Sequence, residues 1–256
     1  MSETDAWPEE AVDFVQSIAD TKLLLSLRYA EWMLSGPALE DDIAGANAAQ
    51  DELGHIRQLF QLLQDQGRAS EWLEGERSPK EFANVQTLDT AAEDWVSHVV
   101  QVATADWAAW LLLDAITHND FSVVQKIGED EYFHLEHHDG RLESLAETDP
   151  DALQSALEEI LPNVLAFIGP AEYDADTDPL VQNGFTDRSV AELRDVFVAH
   201  YEDLLEETDV SLAGIDTDYP PPEEWNSERR RTTEEGIASE VIEVLQGREN
   251  KEFAMG

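Results

Sequence analysis

Apolar residues recur every three or four positions over long stretches of this chain, without the sustained alternation that marks strands. The first such stretch runs from about Glu10 to Leu34 and stops at Ser35-Gly36-Pro37. A second runs from about Leu39 to Asp65 and ends at Gly67. After a loop holding Gly75 and Pro79, a third spans about Leu88 to Thr117 and turns at His118-Asn119-Asp120. A fourth continues from Phe121 to Glu147. Two long helix pairs with short turns predict an all-α chain whose core, about residues 10–147, is a four-helix bundle.

Beyond it, Asp149-Pro150 opens a shorter helix over about Asp151 to Phe167. Residues 169–188 carry two Pro and two Gly and read as a long ordered loop. A further helix is expected from Ser189 to Glu207. After the stiff break at Pro220-Pro221-Pro222 a last one is expected over Arg229 to Gln246. These additional C-terminal helices, about 151–246, belong to one domain covering residues 1–256.

Composition changes the picture in one respect. The chain sets 57 Asp plus Glu against 15 Lys plus Arg, a net charge of −42. Seven Trp and nine Phe argue for a packed core rather than an acidic disordered chain. So negative a surface repels nucleic acid and anionic lipid, which excludes both as general partners. It reads as adaptation to a high-salt cytoplasm, where the Debye length shrinks to about 3 Å and self-repulsion fades. An acidic binding surface is the alternative. The absence of cysteine excludes disulfides, thiolate metal sites and a Cys nucleophile. Met1 to Glu10 lacks the basic and apolar regions of a signal peptide, and charge interrupts the apolar segments, so a cytoplasmic protein with no membrane span is expected.

The second and fourth helices each carry D-E-x-x-H: Asp51-Glu52-Leu53-Gly54-His55 and Asp130-Glu131-Tyr132-Phe133-His134. A Glu and a His three residues apart project from a helix within about 60° of each other. Two such pairs, with a carboxylate from each remaining helix, make the di-iron or di-manganese site of ferritin-like bundles. Carboxylates bridge hard cations there, and imidazoles complete each metal. The inward stripes support this reading. Glu52 and His55 interrupt Gly45, Ala48, Ala49, Ile56, Leu59 and Leu63; Glu131, His134 and His138 share a stripe with Val124, Ile127, Leu135 and Leu142. A buried carboxylate needs a cation or becomes protonated. The competing reading is solvated helix charge.

Height along the bundle selects the other members. Asp106 lies 13 residues before Asn119 and Glu131 lies 12 after it, so an antiparallel pair sets them level. Glu31 sits too close to its turn to face Glu52, by about 15 Å at 1.5 Å per residue. The position level with Glu52 is near residue 22, and the stripe Val15, Ile18, Lys22, Leu25, Tyr29, Trp32 puts Lys22 there; Asp20 points elsewhere. A lysine therefore stands where a fourth carboxylate belongs, and it is expected to hydrogen-bond Glu52 or Glu131.

The remaining candidates carry less. His137 and His138 read as solvated or helix-end residues, with His138 beside the site as the alternative; His98, His118 and His200 read as structural. Trp107 and Trp110 read as core or interface. Arg229-Arg230-Arg231 is a basic run, expected either to pair with Glu224, Glu228, Glu234 and Glu235 or to bind a phosphate-bearing ligand. There is no P-loop, dinucleotide glycine fingerprint or G-x-S-x-G.

From about Leu23 to Leu205, and faintly near Arg229 to Leu245, the sequence resembles the phenylacetate-CoA oxygenase family, the ferritin-like phenylacetic acid catabolic proteins. The matching segments are Glu31-Trp32 with Pro37 after it, Asn47 to Arg57, Asp106-Trp107 and Glu129 to His134. That family pairs a catalytic di-iron subunit with a similar structural one. Together they epoxidise the ring of phenylacetyl-CoA, using oxygen and electrons from a separate reductase. The resemblance implies iron at Glu52, His55, Asp106, Glu131 and His134; with an acyl-CoA substrate, the phosphate-bearing ligand expected from the residues at Arg229, Arg230 and Arg231 is that CoA. It implies a hetero-oligomer with the homologous catalytic chain. Lys22 departs from the catalytic pattern, which has Glu there. The length and Thr232-Thr233-Glu234 after the basic segment resemble the structural, PaaC-type subunit. A structural subunit with a degenerate di-iron site is the expectation. The oxygen-activating subunit, and then a free-standing ferritin-like oxidase, are the alternatives.

Overall fold

A computed structural model describes residues 6–118, 121 and 124–247. Four long helices form the bundle: α1 (Glu9–Trp32), α2 (Leu39–Asp65), α4 (Trp95–Asp114) and α5 (Val124–Thr148). Between α2 and α4 lies the single turn α3 (Ser70–Leu73), followed by 3₁₀ turns at Pro79–Glu81 and Gln86–Asp89. The C-terminal part adds α6 (Pro150–Ile168), α7 (Pro179–Gln182), α8 (Val190–Leu205) and α9 (Ser239–Leu245). Among the described residues there is no strand, only isolated bridges between Ile116 and Thr186 and between Asn226 and Arg231.

The helix starts follow local chemistry. Glu9 and Glu10 open α1, where carboxylates favour the positive end of the helix dipole. Asp94 caps α4 by accepting from Ser97 N at 2.9 Å. Ser189 and Glu192 cap α8 reciprocally, Ser189 N donating to Glu192 Oε2 at 2.8 Å. Pro150 stands at the first position of α6, whose N–H would be unpaired in any case.

α4 is the central helix, packed against α1, α5, α6 and α8. By length and composition its 20 residues are apolar enough to cross a membrane, contrary to the expected interruption by charge, yet 78% of its most apolar 18-residue stretch is buried inside the protein. It is a core helix enclosed by neighbours. α5 approaches it at Gly128, where a Cβ would lie 2.6 Å from the Trp110 ring, so the close crossing requires glycine.

Two expected boundaries are corrected. The third helix begins at Trp95 rather than near Leu88, because Leu88 is held in a 3₁₀ turn whose carbonyl accepts from Arg28 Nε and Nη2 at 3.1 and 2.8 Å. The last helix is α9 alone. Residues 229–238 form an extended strap, bent at Arg230 with φ 50° and tied down by long-range bonds. Of the turn expected at His118-Asn119-Asp120, Asn119 and Asp120 lie outside the described residues, as do residues 1–5, 122, 123 and 248–256.

Candidate metal centre

Four helices converge on one buried cluster. α1 supplies Lys22, α2 Glu52 and His55, α4 Asp106, and α5 Glu131 and His134. Lys22, Glu52, Asp106 and Glu131 have no exposed surface, and the two histidines are buried. The Lys22 ammonium donates to Glu52 Oε1 at 2.9 Å, Asp106 Oδ1 at 3.1 Å and Glu131 Oε1 at 2.6 Å. It thus occupies the place of a carboxylate ligand and binds all three acids. The rejected candidates lie apart, Glu31 on Arg28 at 2.6 Å and Asp20 on the buried Arg77.

The imidazoles face the same acids. His55 Nδ1 is 3.2 Å from Glu131 Oε1 and 3.7 Å from Glu52 Oε2. His134 Nδ1 is 3.6 Å from Asp106 Oδ2 and 3.7 Å from Glu131 Oε2. Their outer nitrogens are braced crosswise: His55 Nε2 lies 3.3 Å from Asp130, and His134 Nε2 lies 3.3 Å from Asp51. Each D-E-x-x-H motif thus uses its Asp to hold the other motif's His, turning both Nδ1 atoms inward. The duplicated Asp was visible in the sequence, but its partner lies 75 or 83 residues away.

Two more residues adjoin the cluster. Tyr29 OH donates to Asp106 Oδ2 at 2.8 Å and is 2.8 Å from His138 Nε2. His138 is buried and stacks on Tyr29 at 5.9 Å and 6°. It is therefore neither solvated nor a helix-end residue, and the alternative placement beside the site describes it. The repeat of Tyr29 seven positions after Lys22 on one stripe was the available signal. His98 is buried against Trp32 and Trp95, and His200 meets Asp139 at 3.0 Å.

Electrostatics follow from this packing. Burial pulls the Lys22 ammonium down, but Asp106, Glu131 and Glu52 outweigh it and hold it well above the ordinary lysine value. Burial also opposes charge on His55, yet Glu131 and Glu52 push it up to about 9. Asp106 and Glu131 likewise overcome burial to push His134 up to about 11. Against burial, Lys22 and the histidines hold Asp106 well down. Burial, with Asp106 and Glu131 beside it, pushes Glu52 up against the pull of Lys22, so the ion-free cluster sets one ammonium and two raised imidazoles against three carboxylates.

What remains unpaired is informative. Glu52 Oε2, Glu131 Oε2, His55 Nδ1 and His134 Nδ1 are buried without a hydrogen bond. Glu52, Asp106, Glu131 and His134 each offer a ligand atom within 4.8 Å of the others, so the cluster is capable of binding a metal ion. Beside it, bordered by His134 and Asp51, is a cavity of about 340 Å³ between α1, α2, α4 and α5.

The basic run does not pair with the side chains of its neighbouring glutamates, as one of its two expected roles required. Arg231 is buried and clasps Asp89 with two bonds of 2.7 and 3.1 Å, while donating to Asn84 O at 2.8 Å. Arg230 is buried and donates to Phe167 O at 2.7 Å and to Ile168 O. Arg229, partly exposed, donates to the Phe82, Thr233 and Glu235 carbonyls. Distant acceptors hold the run, because the strap it lies on crosses the 79–89 turns and the end of α6.

A helical bundle that buries paired Glu-x-x-His motifs at its centre belongs to the ferritin-like carboxylate–histidine class. The sequence pattern of the family described as phenylacetic acid catabolic protein matches residues 2–232, and the chain belongs to that family. No curated protein matches the chain significantly.

Proposed function

We propose that this chain is the structural, PaaC-type subunit of a multicomponent oxygenase that epoxidises the ring of phenylacetyl-CoA. One observation carries the choice: the Lys22 ammonium bonds all three acids of the centre. Three carboxylates and one ammonium sum to −2, which one divalent cation balances. Two would leave net positive charge in a closed interior, where an uncompensated ion costs several kcal/mol. The residues therefore fit one ion and do not fit a di-iron pair.

In this reading Glu52, His55, Asp106, Glu131 and His134 are the remains of a di-iron ligand set, and Lys22 supplies the charge that the lost metal once did. The bundle keeps its shape without iron and can serve as a rigid partner for the homologous catalytic chain. Oxygen reduction, the chemistry iron supplies, falls to that chain, with electrons from a separate reductase. A phosphate contact to acyl-CoA is carried here by Arg229 alone, since Arg230 and Arg231 are committed inside the protein.

The second reading, an oxygen-activating subunit, is favoured by the unpaired carboxylate oxygens of Glu52 and Glu131 beside the inward Nδ1 atoms of His55 and His134. Metal analysis of the complex purified with its catalytic partner separates the two. The structural reading expects at most one weakly held ion in this chain, and Lys22→Glu should raise metal uptake with the bundle still folded. Two tightly held irons in the unmutated chain, with oxygen consumed on reduction, would overturn it.

A further inference from the structure

The 340 Å³ cavity is of the size that holds small ligands. We propose that it is a binding site for a small uncharged aromatic molecule carrying one hydrogen-bonding group. Its walls are rings from three helices: Tyr29 and Trp32 of α1, Trp95 of α4 and Phe133 of α5. Its fourth side is lined by Ala44, Gly45 and Ala48 of α2, whose small side chains leave the space open. Flat faces opposed by a smooth aliphatic wall suit a ring, because offset and edge contacts between rings add to simple burial.

One polar group waits in this lining. His98 is buried, and its ring stacks on Trp32 at 5.1 Å and 16° and against Trp95 at 5.5 Å and 43°. Its side chain makes no hydrogen bond, Nδ1 is buried without a partner, and the residue lines the cavity. A buried polar group is ordinarily paired, so an unpaired one lining a cavity points to an absent partner. Burial also keeps the ring neutral, its pKa pulled down to about 3.

The charged lining is already spoken for. Asp41 takes Arg141 Nε at 2.5 Å, and Asp51 takes His134 Nε2 at 3.3 Å. In a chain of net charge −42, this cavity presents compensated charge, so an ionised ligand would lose hydration without gaining a counter-ion. Phe133, 71% exposed, stands where a ring can enter. The inference uses no metal and holds whichever subunit this chain is.

Fluorine NMR on the full chain in molar potassium chloride tests it, with para-fluorophenol, fluorobenzene and fluorocyclohexane as probes. Para-fluorophenol should bind saturably, fluorobenzene about fivefold more weakly for want of the hydrogen bond, and fluorocyclohexane more weakly still. His98→Phe should lower para-fluorophenol to the fluorobenzene level and leave fluorobenzene unmoved. Gly45→Leu should abolish all three. A Cβ there meets nothing nearer than Tyr29 O at 3.8 Å, so the larger side chain can be accepted and will fill the cavity. No saturable binding, binding unchanged by Gly45→Leu, or fluorocyclohexane binding as well as fluorobenzene would each overturn the proposal. Metal content and partner co-purification, which decide the subunit role, should not move in either variant.

Discussion

Two buried ionic clusters in this protein differ in what they leave over. Under the C-terminal strap, Asp20 takes Arg77, Gln16 and the Ala83 amide, and Asp89 takes Arg231 and Asn84. Both oxygens of each acid are satisfied there. What is left unpaired there is Arg77 Nε and Arg231 Nε, donors that no cation can use, and the uncharged amide oxygens of Gln16 and Asn84. In the bundle centre the leftovers include charged carboxylate oxygens, Glu52 Oε2 and Glu131 Oε2, beside the inward Nδ1 atoms of His55 and His134, which become ligands once a metal displaces their protons. Net charge does not distinguish the clusters. Residual carboxylate oxygens do, and they locate the capacity for a metal in the bundle centre.

The sharpest way to break this comparison removes the cation from each cluster. Lys22→Met and Arg231→Met each strip a partner from buried carboxylates, and each should cost about 3–5 kcal/mol in metal-free buffer. Denaturant titration measures it. Added divalent metal should then restore Lys22→Met, where the freed oxygens join an existing ligand set, and leave Arg231→Met unchanged. Equal rescue of both, or of neither, would erase the distinction.

How much of this was legible beforehand depended on distance along the chain. Lys22 and Asp106 could be set level with Glu52 and Glu131 because helical rise and a short turn fix height. The boundaries of α2 were equally plain, since its apolar stripe ends at turn residues. Long-range side-chain pairing was opaque. Arg231 finds Asp89 142 residues away, so its neighbouring glutamates were poor guides. The same blindness hid the crosswise bracing by Asp51 and Asp130 and the stacking of His138 on Tyr29. Leu88 extends the apolar pattern of the third helix although it lies in a 3₁₀ turn, because a buried apolar residue leaves the same mark on the pattern in either conformation.

A second test sets the surface against both clusters. The net charge of −42 is spread over exposed carboxylates whose mutual repulsion salt screens, whereas ion pairs sealed from solvent are screened little. If the chain is built for high salt, unfolding free energy should rise on the order of 2 kcal/mol from dilute buffer to molar potassium chloride, roughly 4–8 °C in Tm. The deficits of Lys22→Met and Arg231→Met should stay constant across that range. A flat Tm would remove the high-salt reading.

The smallest expected effect comes from a third kind of buried group, an ionisable side chain with no counter-charge. Burial, with His138 and Arg28 nearby, holds His98 down at about 3, against an ordinary 6.5, whereas carboxylates push His55 and His134 up. Between those two values the unfolded chain binds a proton at residue 98 that the folded chain refuses. His98 therefore contributes stability that is complete above 6.5 and is lost as pH falls toward 3. The loss should reach up to about 1.4 kcal/mol over the first pH unit below that upper value. His98→Phe keeps the ring against Trp32 and Trp95 but cannot protonate, so its stability should decline less steeply with acid than the parent's. Denaturant titrations across that interval, in constant salt and without aromatic ligand, measure the two slopes. Identical slopes would mean that the folded protein accommodates the imidazolium, and that His98 is not the neutral buried group its packing implies.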